Sequence, residues 1–290
     1  MKQLAIIGLG MMGGSLGLAA KKMKLAKVVS GYARKEETRN EALRRRVVDR
    51  VFDNPKEAVE GADIVVFCLP VLTMPEVAKA CVSSFAENCI VTDVGSTKAD
   101  LVVQMEKIFK NSKAVFIGSH PIAGSEETGL NAARADLYRN SAVVVTPSHR
   151  KIDKTVVSVR RFWEGFGSRV FMMDPAEHDR TIALTSHVPH LVASMLVNDV
   201  YRAGDSAVRF CGTGFRDATR IAAGSEDIWH DIVKSNRVAV GRELNEFAGI
   251  LDRVSKMVRK GDFEGVRDFL SDTRQKRQKF EEQFLRERRV

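Results

Sequence analysis

A glycine motif near the N-terminus is the feature that most constrains how this 290-residue chain can fold. Residues 8–13 read GLGMMG, so Gly8, Gly10 and Gly13 have the spacing G-x-G-x-x-G between the apolar run LAIIG and the helical sequence GSLGLAAKK. In such a strand–turn–helix unit the first glycine permits a tight turn, the second lets the backbone approach a pyrophosphate, and the third lets helix and strand pack closely. The pyrophosphate then lies on the helix N-terminus, where N–H groups and the dipole favour negative charge. The motif predicts a dinucleotide-binding site, the alternative being a glycine-rich turn without a ligand.

The first part of the chain alternates short apolar runs with charged helical segments. The runs are continuous and rich in β-branched residues: LAIIG, KVVSGY, DIVVFCL, CIVTDV, AVFIGS, AVVVT and SRVFMMD. Continuous apolar strands indicate burial on both faces, and strands that alternate with helices indicate a parallel sheet with helical crossovers. We therefore predict that residues 1–173 form an α/β Rossmann-type NAD(P)-binding domain.

The character of the chain changes after Asp174, where no convincing strand remains. Between residues 230 and 260 apolar positions recur mostly at alternating steps of four and three, as in Val233, Val240, Leu244, Phe247, Leu251, Val254 and Val258. This spacing is typical of a helix that serves a helical core or a subunit interface. We predict an all-helical substrate and dimerisation domain over residues 174–290, with a possible break of the long helix near Gly241 or Gly249.

The end of the second predicted strand bears on the choice of cofactor. An acidic residue there would bind the ribose hydroxyls of NAD, but this chain has Ala33 followed by Arg34 and Lys35. Two cations without a carboxylate favour the 2′-phosphate of NADP, with NAD possible. The alternative is that Arg34 and Lys35 only begin a solvated helix. The predicted cofactor-binding residues are Gly8, Gly10, Met12, Gly13, Arg34, Lys35, Leu69 and Pro70.

Composition excludes several classes of partner and site. The formal charge is +9, and much of the excess lies in the C-terminal sequence RQKRQKFEEQFLRERRV. Acidic residues interrupt it, which favours a solvated helix face over a nucleic-acid patch, although a positive field would also attract anionic small molecules. The four cysteines lack C-x-x-C spacing, so we expect free thiols and no metal site. No apolar stretch approaches the ~18 residues of a membrane span, and we expect a cytoplasmic protein.

Two polar residues follow apolar runs at positions that suit catalysis. Ser96 lies in DVGSTK after one predicted strand, and His120 lies in GSHPIAGSE after the next. Because ligands bind at the carboxyl edge of parallel sheets, we expect both side chains along that edge. Two further histidines, His187 and His190, occur in SHVPHLVA without a third metal ligand at useful spacing.

These motifs occur in an order that resembles one enzyme family. GLGMMGGS, DVGSTK, GSHPIAGSE, DPAEHDRTIALTSHVPHLVA and GFRDATRIA are similar to the prephenate and arogenate dehydrogenases of tyrosine biosynthesis, and the resemblance spans about residues 3–260. It implies a Rossmann domain followed by a helical dimerisation domain, and hence a homodimer. It also implies oxidative decarboxylation of prephenate or arogenate to 4-hydroxyphenylpyruvate or tyrosine.

The resemblance assigns roles to individual residues. His120 matches the catalytic histidine that hydrogen-bonds the ring C4 hydroxyl, and Ser96 matches the serine that orients this hydroxyl and the histidine. Five positions match the substrate pocket, namely the histidine His190, the carboxylate-binding Arg220, the aromatic wall Trp229, the acid Asp217 close to that arginine, and the hydroxyl of Ser125. Ala33 departs from the acidic residue that many NAD-using members carry.

Two other functions stay open on the sequence. A β-hydroxyacid dehydrogenase-like reductase using NADP would need a lysine on a helix of the second domain, for which Lys234 is the candidate. A non-enzymatic, dimeric NADP-binding regulator would use the basic C-terminal helix to bind nucleic acid. The joint presence of Ser96, His120, His190 and Arg220 weighs against the regulator. The sequence leaves open whether the substrate side chain carries a keto or an amino group, and whether tyrosine inhibits.

Overall fold

A computed structural model describes residues 1–124, 127–147 and 153–288 of the chain. The chain divides into two compact units, Met1–Arg237 and Val238–Val290. The first unit therefore includes the α/β elements together with several helices. The domain boundary expected at residue 173 stays a prediction.

The first unit is built on a six-stranded parallel sheet with the strand order β3-β2-β1-β4-β5-β6. Its strands are β1 Gln3–Ile7, β2 Val28–Tyr32, β3 Arg50–Phe52, β4 Ile64–Phe67, β5 Ile90–Asp93 and β6 Val115–Phe116. The crossover helices are α1 Met11–Lys22, α2 Glu36–Arg44, α3 Pro55–Val59, α4 Met74–Cys81 and α5 Ala99–Phe109. The strand order reverses between β1 and β4, and this switch point is where such sheets bind ligands. The predicted fold class is confirmed.

Burial on both faces of the sheet explains the continuous apolar runs. Successive side chains of a strand point to opposite faces, so Leu4 and Ile6 of β1 join one buried cluster with Trp163, whereas Ala5 and Ile7 join the other. All four residues of β4 are buried. The two clusters fix the sheet between two helical layers and hold the carboxyl ends of its strands in place.

The expectation of a single sheet up to residue 173 was wrong. β7 Gly118–Ile122, β8 Ala142–Thr146 and β9 Arg169–Met172 form a separate three-stranded sheet, in which β7 and β8 are antiparallel. A 3₁₀ turn, Leu130–Ala132, precedes β8, and the helix α6 Lys154–Glu164 connects β8 to β9. Apolar runs look alike in parallel and antiparallel sheets, so the sequence pattern did not separate them.

His120 consequently lies inside a strand and not in a loop at the edge of the parallel sheet. Its backbone pairs with Val144 of β8. The chain leaves the parallel sheet just before it, because the Ser119 N–H donates to the side chain of Asp93 at 3.0 Å instead of a strand carbonyl. The hydroxyl of Ser119 donates to the Asp93 carbonyl at 2.6 Å. These bonds keep β7 beside the carboxyl end of β5.

The remaining elements are helical. In the first unit they are α7 Pro175–Ile182, a π-helical turn Ala183–His187, α8 Val188–Arg202, α9 Asp205–Val208, α10 Thr213–Thr219, a 3₁₀ turn Arg220–Ala223 and α11 Glu226–Ser235. They are followed by α12 Arg237–Lys260 and α13 Phe263–Arg288. Within the described ranges no strand follows β9. No helix in the described part of the chain has the length and apolarity needed to cross a membrane.

The long helix predicted near residues 230–260 is interrupted, but not at either expected glycine. Gly241 and Gly249 both lie inside α12, whereas the break is at Asn236. The Asn236 side chain donates to the carbonyl of Asp179 at 2.8 Å and bonds His187 Nδ1 at 3.2 Å. No local sequence pattern reveals these long-range hydrogen bonds at the end of α11.

Candidate active site

The glycine motif forms a tight turn at the carboxyl end of β1. Gly8 has a φ of +107°, and a Cβ there would lie 2.4 Å from the carbonyl oxygen of Cys68. A Cβ on Gly13 would lie 1.9 Å from the Gly8 oxygen. In contrast, a Cβ built on Gly10 meets no atom within 4 Å among the described residues other than Gly10 and its neighbours along the chain. A side chain at Gly8 or Gly13 would therefore collide with neighbouring backbone, whereas space remains beside the middle glycine, Gly10.

The start of α1 suits an anionic ligand. Gly10 is its N-cap, without a side-chain cap hydrogen bond, and the first turn contains no acidic residue. The Met12 carbonyl accepts a hydrogen bond from the Tyr138 hydroxyl at 2.8 Å, which ties this turn to the core. Leu69 follows β4 with its Cδ2 atom 2.8 Å from the Cβ position of Gly8, and the exposed Pro70 comes next. These residues fit a dinucleotide whose pyrophosphate lies on the helix N-terminus.

The loop after β2 presents two cations to solvent. Ala33 is buried, whereas Arg34 and Lys35 are exposed. Arg39, which we did not single out in the sequence, donates through Nη1 to the carbonyls of Ala33 at 3.0 Å and Arg34 at 2.8 Å. The backbone of this loop is therefore fixed while the Arg34 side chain stays available to a ligand.

His120 belongs to a buried chain of hydrogen bonds. Its Nδ1 lies 2.9 Å from Nε2 of His178, and Nδ1 of His178 lies 2.8 Å from Oδ1 of Asp179. The two imidazole rings meet edge to face, with centroids 5.1 Å apart. Burial, and then the nearby His178, Lys98 and His187, hold the pKa of His120 well below its usual value. His120 is therefore a neutral imidazole near pH 7.

The loop that carries Ser96 is fixed on both sides of the serine. Lys98 forms an ion pair with Asp93, and both side chains are fully buried. The Lys98 backbone N–H donates to Asp179 Oδ1 at 2.7 Å, and the Thr97 hydroxyl bonds the Ser235 hydroxyl at 2.9 Å. Ser96 itself is half-buried. Burial lowers the pKa of Lys98, and the Asp93 carboxylate opposes this shift.

The second group of site residues lies on α8 and α11. His190 and Trp229 stack, with ring centroids 3.5 Å apart and planes inclined by 13°. Gly224 lies against both rings, since a Cβ there would be 2.6 Å from Trp229 Nε1. His187 meets the edge of Trp229 at 6.0 Å, and burial lowers its pKa to about 4. Because Asn236 joins His187 to Asp179, contacts lead from His120 to Trp229 and His190.

The structure brings only some of the predicted residues into this connected group. The group contains His120, His190 and Trp229, and the loop of Ser96 is bonded to it. Arg220 is exposed on a 3₁₀ turn that packs against α8. Asp217 is also exposed, and its carboxylate lies 3.7 Å from Nε of Arg216. Ser125 lies outside the described residues.

Comparisons with known proteins show the family of the chain. A model of the prephenate dehydrogenase nucleotide-binding domain matches residues 16–172, and a model of the prephenate dehydrogenase dimerization domain matches residues 174–272. The chain belongs to the prephenate dehydrogenase family. Cyclohexadienyl dehydrogenase of Zymomonas mobilis is 32% identical over 90% of each chain, and prephenate dehydrogenase of Lactococcus lactis is 32% identical over 97% of this chain and 78% of its own.

A solved structure matches nearly the whole chain. Prephenate dehydrogenase from A. aeolicus, in complex with hydroxyphenyl propionate and NAD+, has a TM-score of 0.90 at 29% identity and covers 97% of this chain and 98% of its own. The resemblance predicted from the motifs is confirmed, and the chain is an NAD(P)-dependent dehydrogenase of the prephenate dehydrogenase family. The reductase and the non-enzymatic regulator are not favoured, and Lys234, the lysine that the reductase would need, is exposed.

Several residues of the site were missed in the sequence. They are the buried ion pair Asp93 and Lys98, the relay residues His178 and Asp179, and the bridging Asn236. His178 and Asp179 form a histidine–aspartate dipeptide within the motif DPAEHD, which is a weak local signal. Nothing in the spacing pairs this dipeptide with a histidine 58 residues earlier.

Proposed function

We propose that this member of the prephenate dehydrogenase family oxidatively decarboxylates prephenate or arogenate with NADP+ as hydride acceptor, in tyrosine biosynthesis. The products are 4-hydroxyphenylpyruvate or tyrosine. The observation that carries the proposal is the buried imidazole of His120, joined by hydrogen bonds and ring contacts to the stacked pair His190 and Trp229.

His120 acts as the general base. As hydride leaves ring carbon C4 of the substrate, the C4 oxygen gains carbonyl character and its proton becomes acidic. A neutral imidazole accepts that proton, and such proton transfer contributes roughly 10²- to 10⁴-fold to a rate. The bound nicotinamide supplies the hydride acceptor. Loss of the ring carboxylate as carbon dioxide leaves an electron pair that makes the ring aromatic, and the resulting phenolate oxygen takes the proton back from His120. The protein therefore mainly needs to orient the substrate and to hold one proton.

The neighbouring residues orient the substrate. Ser96, on a loop held by the Lys98–Asp93 ion pair, positions the C4 hydroxyl against His120. Arg220 binds a substrate carboxylate, and a hydrogen bond of this charged kind contributes roughly 1.5–3 kcal/mol. His190 and Trp229 form one wall of the pocket. The family pattern adds Asp217 near Arg220 and the hydroxyl of Ser125.

The cofactor assignment rests on the loop after β2. Gly8, Gly10 and Gly13 with Met12, Leu69 and Pro70 would hold the pyrophosphate and nicotinamide ends of the dinucleotide. The exposed Arg34 would bind a 2′-phosphate as a planar fork, and Lys35 would add a point charge. The buried residue at the strand end is Ala33, so the position at which many NAD-using members carry an acid holds no carboxylate. We therefore assign NADP in preference to NAD.

The assembly is a homodimer formed through the helical C-terminal part. Large apolar side chains remain exposed along α12 and α13, among them Phe247, Leu251, Val258, Phe263, Leu270 and Phe280. Extended exposed apolar surface of this kind marks interaction sites. Several cations of α13 pair with acids one turn away, as in Lys276–Asp272 and Arg277–Glu281, which supports a solvated face and not a nucleic-acid surface. Light scattering should give twice the chain mass of 32.2 kDa.

A four-way assay tests the proposed function. Prephenate and arogenate are each combined with NAD+ and NADP+, and nicotinamide absorbance is followed with product analysis by chromatography. We expect reduction of NADP+ with at least one of the two substrates, together with 4-hydroxyphenylpyruvate or tyrosine. Absence of turnover in all four combinations, with cofactor bound, would remove the proposal. Faster turnover with NAD+ would overturn the cofactor assignment alone.

A further inference from the structure

His178 is a fully buried histidine to which the mechanism above gives no task. Its ring lies between His120 and Asp179, and both of its nitrogens are within hydrogen-bond distance of those residues. Asp179 in turn accepts the backbone N–H groups of Lys98 at 2.7 Å and Ala99 at 2.8 Å. The carboxylate is therefore fixed by the same loop that carries Ser96, and it fixes His178.

The hydrogen bonds determine where the protons of a neutral relay lie. A carboxylate only accepts hydrogen bonds, so Nδ1 of His178 carries a proton and donates it to Asp179. Nε2 of a neutral His178 then carries a lone pair and accepts a hydrogen bond, for which His120 must be the donor. The proton of His120 must lie on Nδ1, and this leaves its Nε2 as the nitrogen without a proton.

We propose that Asp179 and His178 are positioning residues that fix His120 in the tautomer with a proton on Nδ1, so that Nε2 accepts the substrate hydroxyl proton. This inference rests on the proposed function, in which His120 is the base. In the step, the substrate O–H bond breaks and its proton forms an N–H bond on Nε2. The electron pair of the O–H bond forms the carbonyl as hydride leaves C4 with its own electron pair for the nicotinamide.

The buried groups around the relay act on that proton in both directions. Two carboxylates, Asp93 and Asp179, and one ammonium, Lys98, are buried there, so the group carries one net negative charge while both imidazoles are neutral. Proton uptake by His120 brings the net charge to zero. Burial, and then His178, Lys98 and His187, act in the opposite direction and disfavour a cation at His120.

Substituting Asp179 with asparagine should reverse the proton order along the relay. An asparagine amide can donate to Nδ1 of His178, which then carries its proton on Nε2 and donates to Nδ1 of His120. His120 would hold its proton on Nε2 and lose its function as a base. We expect kcat to fall by about 100-fold or more in Asp179→Asn, with KM changed by less than about threefold, because no substrate contact is removed.

Conservative and non-conservative changes at His178 separate positioning from packing. His178→Gln keeps an amide oxygen that can accept a hydrogen bond from His120 Nδ1, so it should retain a much higher kcat than His178→Leu, which offers no acceptor.

A matched control exists on α11, where His230 and Asp231 form the same dipeptide contact at 3.1 Å but the His230 side chain is largely exposed. Asp231→Asn should leave kcat and KM unchanged.

Nitrogen-15 NMR of histidine-labelled protein tests the inference on the wild-type protein with a readout that does not depend on activity. In the wild-type protein near pH 7 we expect Nδ1 of His120 to be protonated, Nε2 to be unprotonated, and a scalar coupling across the hydrogen bond to Nε2 of His178. Asp179→Asn should move the His120 proton to Nε2. The inference is overturned if wild-type His120 already carries its proton on Nε2, as it would beside a doubly protonated His178, or if Asp179→Asn keeps both the wild-type tautomer and the wild-type kcat.

The proposed function fails on a different result. If His120→Asn keeps wild-type turnover, His120 is not the base, whatever its tautomer. If His120→Asn abolishes turnover while Asp179→Asn and His178→Leu fold and turn over normally, the base stands and the positioning role is lost.

Discussion

The buried ion pair between Lys98 and Asp93 gives the sharpest prediction about stability. Lys98→Met keeps the length of the side chain but removes the charge, so the carboxylate of Asp93 stays buried without a counter-ion. Breaking a buried pair in this way destabilises a protein by roughly 3–5 kcal/mol. Asp93 keeps two backbone donors, Gly95 N–H at 2.7 Å and Ser119 N–H at 3.0 Å, which place the effect in the lower part of that range.

Protonation of Asp93 limits the loss of stability in Lys98→Met and makes that loss depend on pH. At pH 7, protonating a carboxyl whose ordinary pKa is about 3.9 requires about 4 kcal/mol, and at pH 5 about 1.5 kcal/mol. The folded variant then binds a proton that the unfolded chain does not, so its stability rises relative to the wild type as the pH falls. We expect a deficit of about 3–4 kcal/mol at pH 7 that shrinks to about 1.5 kcal/mol at pH 5.

Urea unfolding followed by tryptophan fluorescence measures this deficit. Trp163 is a suitable probe, because its Nε1 donates to the hydroxyl of Ser119 at 3.0 Å beside Asp93. Lys110→Met, a change at an exposed lysine that caps the end of the same helix, should alter stability by no more than about 0.5 kcal/mol. A deficit for Lys98→Met below about 1 kcal/mol, or one that does not change with pH, would refute this reasoning.

Three further predictions concern the substrate, the cofactor and pH. Arg220→Gln should raise the KM for substrate by about ten- to a hundredfold, because roughly 1.5–3 kcal/mol of charged hydrogen bonding is lost. Steady-state kinetics should show no such change in the control Arg216→Gln, and an unaltered KM in Arg220→Gln would argue against carboxylate binding. Arg34→Ala should weaken NADP+ binding by tenfold or more relative to NAD+, which corresponds to about 1.4 kcal/mol. Fluorescence titrations measure both affinities, with Lys110→Ala as the control, and equal losses for both cofactors would contradict the assignment. His187 has a pKa of about 4 when folded, against an ordinary 6.5, so the unfolded chain binds more protons between these values. The unfolding free energy should therefore fall by up to about 3 kcal/mol from pH 6.5 to pH 4 because of this residue. His187→Gln should reduce this dependence of the unfolding free energy on pH, and His230→Gln should not. An equal pH dependence in both variants would exclude His187 as the cause.

Much of the fold was predictable because its signals are local. The glycine spacing and the β4 run IVVF specify a turn and a strand buried on both faces, whatever the rest of the chain does. The second sheet was not predictable in the same way. The run AVVVT is equally apolar in parallel and antiparallel pairing, and the direction of β7 depends on Asp93, which is remote in sequence. The helix break at Asn236 likewise arises from bonds to Asp179 and His187.

The site was predictable only as far as its motifs reach. His120, His190 and Trp229 carried recognisable patterns, and they lie in one connected set of contacts. The sequence did not indicate His178 as a partner of His120, because hydrogen bonds between residues far apart in the chain produce no periodic sequence pattern. The pairing of Asp217 with Arg216 also depends on side-chain geometry that no sequence pattern reveals.

Turnover and cofactor binding of His120→Asn, measured on the same preparation, test the central claim most directly. Asparagine keeps a polar side chain in β7 but cannot take up the substrate proton at neutral pH. We predict that kcat falls by about 100-fold or more, while the Kd for NADP+ and the urea midpoint stay near the wild-type values. Wild-type turnover in this variant would contradict the account.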